Sequence, residues 1–103
     1  MPKYLQVGGL VAAGFDQTGQ YLLTVSHSGR GVFAVGSWAR VARDEAPVYP
    51  VQGHVEGIGP IKGQSVVVLE KNYSSGELLL HSPDGSFTLA YDSGVIAVSS
   101  AHT

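Results

Sequence analysis

Short apolar segments separated by turn residues recur along the whole chain. The segments are rich in Val, Leu, Tyr and Phe, and each is too short for a typical helix. Glycine-containing polar stretches at 16–19, 28–31, 74–76 and 83–85 match the chemistry of tight hairpin turns. The pattern therefore predicts an all-β protein built from antiparallel hairpins. The predicted strands are residues 4–7, 10–15, 20–27, 31–35, 38–43, 54–58, 65–70, 77–81, 86–91 and 95–99.

The segment 38–46 fits two interpretations. Its Ala and Arg residues favour a short helix, which Ser37 could cap. Alternation favours a strand instead. In that strand the side chains would form two rows, with Trp38, Arg40 and Ala42 on one face and Ala39, Val41 and Arg43 on the other. We predict the strand and keep the short helix as the alternative.

An internal repeat divides the sequence into two similar halves. Residues 19–23 and 63–67 both begin with Gly-Gln and continue into an apolar strand, at an offset of 44 residues. A turn, a further strand and a strand ending in aspartate follow in both halves. We predict a single domain, 1–103, with pseudo-repeats at approximately 4–46 and 51–100 and a break at the two prolines within 47–50.

Each half predicts a four-stranded antiparallel meander whose apolar faces must be buried. Two runs, 65–69 (S-V-V-V-L) and 78–80 (L-L-L), are apolar at successive positions, which is typical of strands covered on both faces. We therefore predict that the two meanders pack as a sandwich or a partly open barrel.

One segment carries a resemblance to a known family. Residues 15–24 (F-D-Q-T-G-Q-Y-L-L-T) resemble the inner-strand turn of a WD-repeat or related β-propeller blade, and residues 81–85 have the same turn chemistry. Gly53 and His54 match the Gly-His pair that opens such a blade, but no Trp-Asp pair closes either half. A propeller ring needs about four to eight blades, so the resemblance implies a possible homo-oligomer that closes a ring from several chains.

Composition and charge exclude several classes of protein. The chain has 103 residues, 44% of them hydrophobic, and no cysteine, which excludes a disordered chain, a disulfide scaffold and a thiolate zinc site. Residues 1–44 hold four basic and two acidic side chains, whereas residues 45–103 hold two basic and six acidic ones, for a net charge of −2. This balance argues against nucleic-acid binding. With no apolar run of membrane-spanning length and no signal-peptide pattern, we expect a cytoplasmic protein that does not bind a membrane.

The sequence contains no recognisable catalytic pattern. No G-x-S-x-G elbow is present, and the acidic residues are scattered over the predicted turns. His27, His54 and His81 are spaced by 27 residues, which does not follow the repeat offset and matches no metal-site spacing. We therefore predict no catalytic residue, no cofactor and no metal site, and we expect a binding protein rather than an enzyme.

The candidate binding residues lie on predicted turns and the strands beside them. In the first half they are His27, Arg30 and Trp38, and in the acidic second half they are Glu70, Tyr73, Glu77 and Asp84. Exposed aromatic residues and arginines are enriched at binding hot spots, and an acidic surface steers a basic partner.

Two functions follow as expectations. In size and style the chain is similar to immunity proteins that neutralise bacterial toxins, and its acidic half would cover a basic cleft such as that of a nuclease toxin. The alternative is a sugar-binding half-propeller lectin that oligomerises, with Trp38 and Tyr73 as stacking platforms.

Overall fold

A computed structural model of the protein describes residues 3–46 and 48–100, and the predicted all-β class is confirmed. A short 3₁₀ helix, Gly59–Ile61, interrupts the strands. Pro47, in the predicted break, lies outside the described residues. No helix within the described ranges is long and apolar enough to cross a membrane. The strands are β1 (Lys3–Gln6), β2 (Leu10–Phe15), β3 (Tyr21–Ser26), β4 (Gly29–Ala34), β5 (Arg40–Arg43), β6 (His54–Glu56), β7 (Ser65–Val67), β8 (Leu69–Glu70), β9 (Leu78–His81), β10 (Phe87–Asp92) and β11 (Val95–Ser100).

The strands form two main antiparallel sheets and one small hairpin. Sheet A has the order β1-β11-β10-β9, sheet B has the order β5-β4-β3-β2-β8, and β6 and β7 form a two-stranded sheet. Sheets of four and five antiparallel strands are consistent with the predicted sandwich or partly open barrel. The strands after residue 50 are divided among all three sheets rather than forming one meander. The fourth strand of sheet A is β1, where Lys3 lies opposite Val98 of β11.

Sheet B is buried on both of its faces. One face packs against sheet A, and the other packs under the β6–β7 hairpin and the 3₁₀ helix. The first layer contains Leu5, Leu10, Leu22, Phe33, Trp38, Leu78, Leu89, Tyr91, Ile96 and Val98, and the second contains Val11, Leu23, Val25, Val32, Val55, Ile61, Val66 and Val68. This double burial explains why β2 carries no polar side chain and why the successive residues Leu22 and Leu23 of β3 are both apolar and buried.

The two runs that were predicted to be covered on both faces are instead exposed on one face, so that prediction is wrong. Val67 is 66% exposed, Leu69 is 48% exposed and Leu79 is 56% exposed. The reason is their position in the sheets. Strands β8 and β9 are edge strands, and β7 belongs to a hairpin that covers sheet B with one face only.

The β2–β3 and β9–β10 loops have the same hydrogen-bond pattern. In the first loop Asp16 N–H donates to the Tyr21 carbonyl, and Tyr21 N–H donates to Asp16 Oδ1, both at 3.0 Å. In the second loop Ser82 N–H donates to the Phe87 carbonyl, and Phe87 N–H donates to Ser82 Oγ, again both at 3.0 Å. Ser82 lies 66 positions after Asp16, so this structural correspondence differs from the predicted offset of 44.

Candidate functional site

A polar cleft of about 200 Å³ opens at one margin of the two main sheets. Its floor comes from β3 and β4, and its walls come from β5 and from the segment that follows β1. The edge strands β1 and β5 flank this margin, whereas the edge strands β8 and β9 contact each other at the opposite margin. The lining includes Arg30, Arg40 and Arg43, which are all the arginines of the chain.

The cleft exists because the inward side chains of β3 and β4 change from large and apolar to small and polar. Leu22 and Phe33 fill the space between the sheets at one end. Alternate residues of a strand share a face, so Thr24, Ser26 and Gly31 continue the same face toward the other end. These residues lack the bulk to fill the gap between the sheets, and the gap becomes the cleft.

A β-bulge places Arg40 and Arg43 on the same face of sheet B. Arg40 lies opposite Phe33 and Arg43 lies opposite Gly31, because the register shifts by one residue at Val41. Residues opposite each other on neighbouring strands share a face. The strand predicted for this segment is confirmed, and the helix alternative is wrong. The predicted assignment of the two arginines to opposite faces is also wrong, because the extra residue of a bulge shifts the alternation.

Arg30 is compensated by Asp44. Arg30 Nη2 and Nε donate to Asp44 Oδ2 at 2.6 and 3.0 Å, and the Arg30 N–H donates to Oδ1 at 2.9 Å. Nη1 donates to the Glu56 carbonyl at 2.9 Å. Partial burial by itself would raise the pKa of Asp44, but the hydrogen bonds and the charge of Arg30 outweigh burial and lower it. The pair therefore ties together β4, the end of β5 and β6.

Arg40 and Arg43 have no carboxylate partner among the described residues. The Arg40 guanidinium carbon lies 5.1 Å from the centroid of the Phe33 ring, and Nη2 donates to the Gln6 carbonyl at 3.5 Å. Within the described part of the chain, Arg43 makes neither a side-chain hydrogen bond nor an ion pair. Two guanidinium groups thus face the cleft with uncompensated charge, and a guanidinium fork matches the geometry of carboxylate and phosphate groups.

Three hydroxyl groups in the cleft donate to other protein oxygens. Thr24 Oγ1 donates to the Gly31 carbonyl at 3.3 Å, and Ser26 Oγ donates to the Gly29 carbonyl at 3.0 Å. Ser28 Oγ lies 3.1 Å from Ser26 Oγ. Because the single hydrogen of the Ser26 hydroxyl is already used, Ser28 is the donor in that contact.

Of the three candidates predicted in the first half, only Arg30 lines the cleft. His27 lies in the β3–β4 turn, where Nδ1 is 3.3 Å from the Tyr49 hydroxyl. Trp38 is 6% exposed and packs edge-on against Phe87, with ring centroids 5.3 Å apart. Because Trp38 lies in the core, its predicted roles as a partner contact and a sugar platform are wrong.

The four acidic-half candidates lie in two places. Glu70 ends β8, and Tyr73 and Glu77 belong to the loop that follows, where Asn72 N–H donates to the Glu77 carbonyl at 2.8 Å. Tyr73 is 74% exposed. Asp84 lies in the β9–β10 loop, at the opposite end of β9.

Asp84 has a local role in its loop. It accepts hydrogen bonds from the Ser86 N–H and the Ser82 hydroxyl, both at 2.9 Å. These bonds, the Ser86 N–H first, lower the pKa of the Asp84 carboxyl. We therefore place Glu70, Tyr73 and Glu77 on one surface and leave Asp84 out of it.

The evenly spaced histidines are divided among different elements. His27 lies in the β3–β4 turn, His54 in β6 and His81 in β9. Over residues 3–46 and 48–100, no group of three or more His, Cys, Asp or Glu side chains is arranged to hold a metal ion.

The candidate set predicted from the sequence did not include Arg40, Arg43, Asp44 and Thr24. One signal was available, because all three arginines fall within residues 30–43. Their convergence depends on the bulge and on the small residues of the floor, which alternation does not reveal.

Comparisons with known proteins identify no relative from which a function could be transferred. No protein-family model matches the sequence. No curated protein and no solved structure matches it either. The functional argument therefore rests on the cleft and on the exposed surface residues.

Proposed function

We propose that this protein is a binding protein that recognises an anionic group in the arginine cleft. The observation that carries this proposal is the convergence of Arg40 and Arg43 on one face of sheet B, where neither side chain has a carboxylate partner among the described residues. A carboxylate or phosphate group could accept charge-assisted hydrogen bonds from both guanidinium groups. Such bonds are stronger than neutral ones and are directional, which suits selective binding.

Binding fits the cleft better than catalysis does. Arginine stays protonated in proteins and is therefore a poor general acid or base. Asp44 is held in its ionised form by Arg30, and its oxygens are already occupied by hydrogen bonds. The cleft thus offers donors and positive charge but no ionisable group that is free to transfer a proton at neutral pH.

The test is an NMR titration with inorganic phosphate and with acetate. We expect both ions to shift the backbone amide signals of Gly29 and Gly31, which line the cleft. The double variant R40Q/R43Q should bind both ions about tenfold more weakly or worse, the loss expected when charge-assisted hydrogen bonds are removed.

The matched control is K62Q/K71Q, which removes the same net charge outside the cleft. It should leave the affinity for both ions within about twofold, since screened surface charges contribute little. Equal weakening in the two double variants, or shifts that are not confined to the cleft, would show that the ions respond only to net charge, and the proposal would be wrong.

A second candidate function is favoured by the exposed acidic loop. Tyr73 lies between Glu70 and Glu77 in the sequence and all three are exposed, and an exposed aromatic ring together with carboxylates is the kind of contact that anchors a basic partner. We propose, as this second candidate, a cytoplasmic inhibitor in the style of an immunity protein, which covers the basic cleft of a bacterial toxin.

The test is co-expression with a secreted toxin domain, for which genes adjacent to that of this protein are the first to screen. The wild-type chain should form a complex and restore growth, and E70Q/E77Q should slow association, with a strong dependence on salt. D84N/D92N removes the same charge at other places and should protect as well as wild type. The inhibitor role is wrong if no complex forms or if both variants protect equally.

A further inference from the structure

The cleft has a second chemical property besides its positive charge. Each of its three hydroxyl groups uses its hydrogen inside the protein: Thr24 on the Gly31 carbonyl, Ser26 on the Gly29 carbonyl and Ser28 on Ser26 Oγ. A hydroxyl oxygen whose hydrogen is used can still accept hydrogen bonds through its lone pairs. The side-chain oxygens of the floor therefore act toward a ligand as acceptors.

Not all of these oxygens are still available to a ligand. Ser26 Oγ already accepts from the Ser28 hydroxyl at 3.1 Å and from the Ser28 N–H at 3.3 Å, so its two lone pairs are occupied. Thr24 Oγ1 and Ser28 Oγ accept no hydrogen bond from the described residues beyond these contacts. Two acceptors thus remain, one at the floor and one at the β3–β4 turn.

Gly31 keeps the floor acceptor uncovered. A methyl group placed on Gly31 would lie 3.1 Å from Thr24 Oγ1, which is closer than ordinary van der Waals contact. Any larger side chain at this position would therefore stand over the Thr24 hydroxyl. Without a side chain at Gly31, Thr24 remains part of the cleft lining.

The cleft thus has guanidinium donors on the β5 wall and hydroxyl acceptors on the floor. A simple anion satisfies the wall, but it could accept from the floor only if a hydroxyl gave up its hydrogen bond to a protein oxygen. The cleft volume of about 200 Å³ leaves room beyond what an acetate or phosphate ion fills. A ligand that satisfies both sides carries an anionic group together with hydroxyl groups that donate.

We propose that the natural ligand is a polyhydroxylated acid of about monosaccharide size, such as a uronic acid or a sugar phosphate. Its anionic group binds Arg40 and Arg43, and its hydroxyl groups donate to Thr24 Oγ1 and Ser28 Oγ. This inference rests on the proposed anion-binding function and specifies the chemical class of the ligand.

The experiment compares glucuronate, glucose, acetate and glucose 6-phosphate by calorimetry and NMR titration. Wild type should bind glucuronate about tenfold more tightly than acetate, because two additional hydrogen bonds form. Glucose, which lacks the charge, should bind more weakly than glucuronate. Glucose 6-phosphate, compared with inorganic phosphate, shows whether a phosphate serves as well as a carboxylate. Tighter binding of glucuronate than of acetate, or of glucose 6-phosphate than of inorganic phosphate, supports the inference.

Three variants test the floor. T24V removes the acceptor in a side chain of similar shape, and we expect it to lower the affinity for glucuronate at least threefold while leaving the affinity for acetate unchanged. T24S keeps the hydroxyl and should bind glucuronate as wild type does. S28A changes an exposed side chain, so it should fold even if T24V does not, and it should also weaken glucuronate binding alone.

The outcomes separate this inference from the proposed function. If glucuronate binds no better than acetate and glucose 6-phosphate no better than inorganic phosphate, or if glucose binds as tightly as glucuronate, the inference is overturned. R40Q/R43Q would still weaken acetate binding in that case, and the anion-binding function would stand. If R40Q/R43Q weakens neither ligand, both proposals fail together.

Discussion

At the scale of single residues, the cleft brings three like charges together and compensates only one of them. Asp44 neutralises Arg30 through three hydrogen bonds, and the ring of Phe33 lies beside Arg40. A cation over an aromatic face gains a modest stabilisation, about 0.5–1 kcal/mol when exposed. The uncompensated charge on Arg40 and Arg43 destabilises the folded state, and a bound anion would reduce this destabilisation.

The Asp44 substitution tests this residue-scale account. Arg30 lowers the pKa of Asp44 in the folded state, so the ionised Asp44 stabilises the fold. This contribution to the free energy of unfolding is complete above the ordinary carboxyl pKa of about 4, and it is lost as the pH falls through the lowered pKa of the folded protein. We expect D44N to lower the free energy of unfolding by about 1–3 kcal/mol at neutral pH. The variant should also lose less stability than wild type as the pH falls below about 4, measured by urea denaturation.

The control for this substitution is D92N. Asp92 is exposed, and among the described residues only its neighbour Ser93 donates a hydrogen bond to its carboxylate. We expect less than about 0.5 kcal/mol of change from D92N. A D44N protein as stable as D92N at neutral pH would contradict the assigned role of the ion pair.

Gly29 supports the cleft in a different way. Its φ is +135°, and a methyl group there would collide with the Asp44 carbonyl oxygen. We expect G29A to lower the free energy of unfolding by more than about 2 kcal/mol, because the energy of the strained backbone and the energy of the steric clash add together. Gly36 also has a positive φ, +103°, but a methyl group there meets nothing within 4 Å. G36A therefore measures the backbone strain alone, and thermal denaturation of the two variants should differ clearly.

At the scale of elements, the sequence pattern predicted most strands and missed their partners. Apolar runs bounded by turns predicted β2, β4 and β10 closely, because a buried strand needs such a run. The pattern defines which face of a strand is buried but not the strand beside it. The pairing of β1 with β11 and of β8 with β2 was therefore not predictable in this way.

The site was predicted less well than the fold for a related reason. Alternation assigned Arg40 and Arg43 to opposite faces, and one bulged residue was enough to bring them to the same face. A bulge has no strong single-sequence signal at this position. The position of Arg30 on a hairpin was predictable, but its ion pair with Asp44 depends on how β4 and β5 align.

The matching β2–β3 and β9–β10 loops allow an element-scale test. Asp16 is buried, and its carboxylate accepts hydrogen bonds from the Thr18 hydroxyl and from two backbone N–H groups. We expect D16A to lower the free energy of unfolding by about 2–3 kcal/mol in urea denaturation, because three donors lose a charged acceptor. S82A removes the equivalent acceptor and should cost about 1 kcal/mol. The exposed neighbour variant Q17A should change little, and a D16A as stable as Q17A would refute the capping role.

At the scale of the molecule, β1 closes sheet A across nearly the whole length of the chain. Its inward residue, Leu5, is buried in the core between the sheets, whereas the adjacent Tyr4 points to solvent. The same segment continues into the wall of the cleft through Gln6, Val7 and Gly8. Sheet closure and the shape of the cleft therefore depend on one short strand.

Substitutions in β1 test this dependence. We expect L5A to lower the free energy of unfolding by about 2–5 kcal/mol, the usual range for a buried leucine. Y4A in the same strand should change it by less than about 0.5 kcal/mol, because the side chain is exposed. Circular dichroism during denaturant titration measures both, and similar losses for the two variants would show that β1 is not anchored through Leu5.

The partnership of β1 and β11 also has a consequence for biosynthesis. Val98 is synthesised 95 residues after Lys3, its opposite in the ladder, so the growing polypeptide carries an unpaired strand while it leaves the ribosome. Pairing between such distant segments is slow compared with local hairpin formation. Sheet B can assemble its β2–β5 hairpins early and β11 can pair with its neighbour β10, whereas β1 must wait for β11 before it can pair. During translation, then, the first of these strands to be synthesised is among the last to pair.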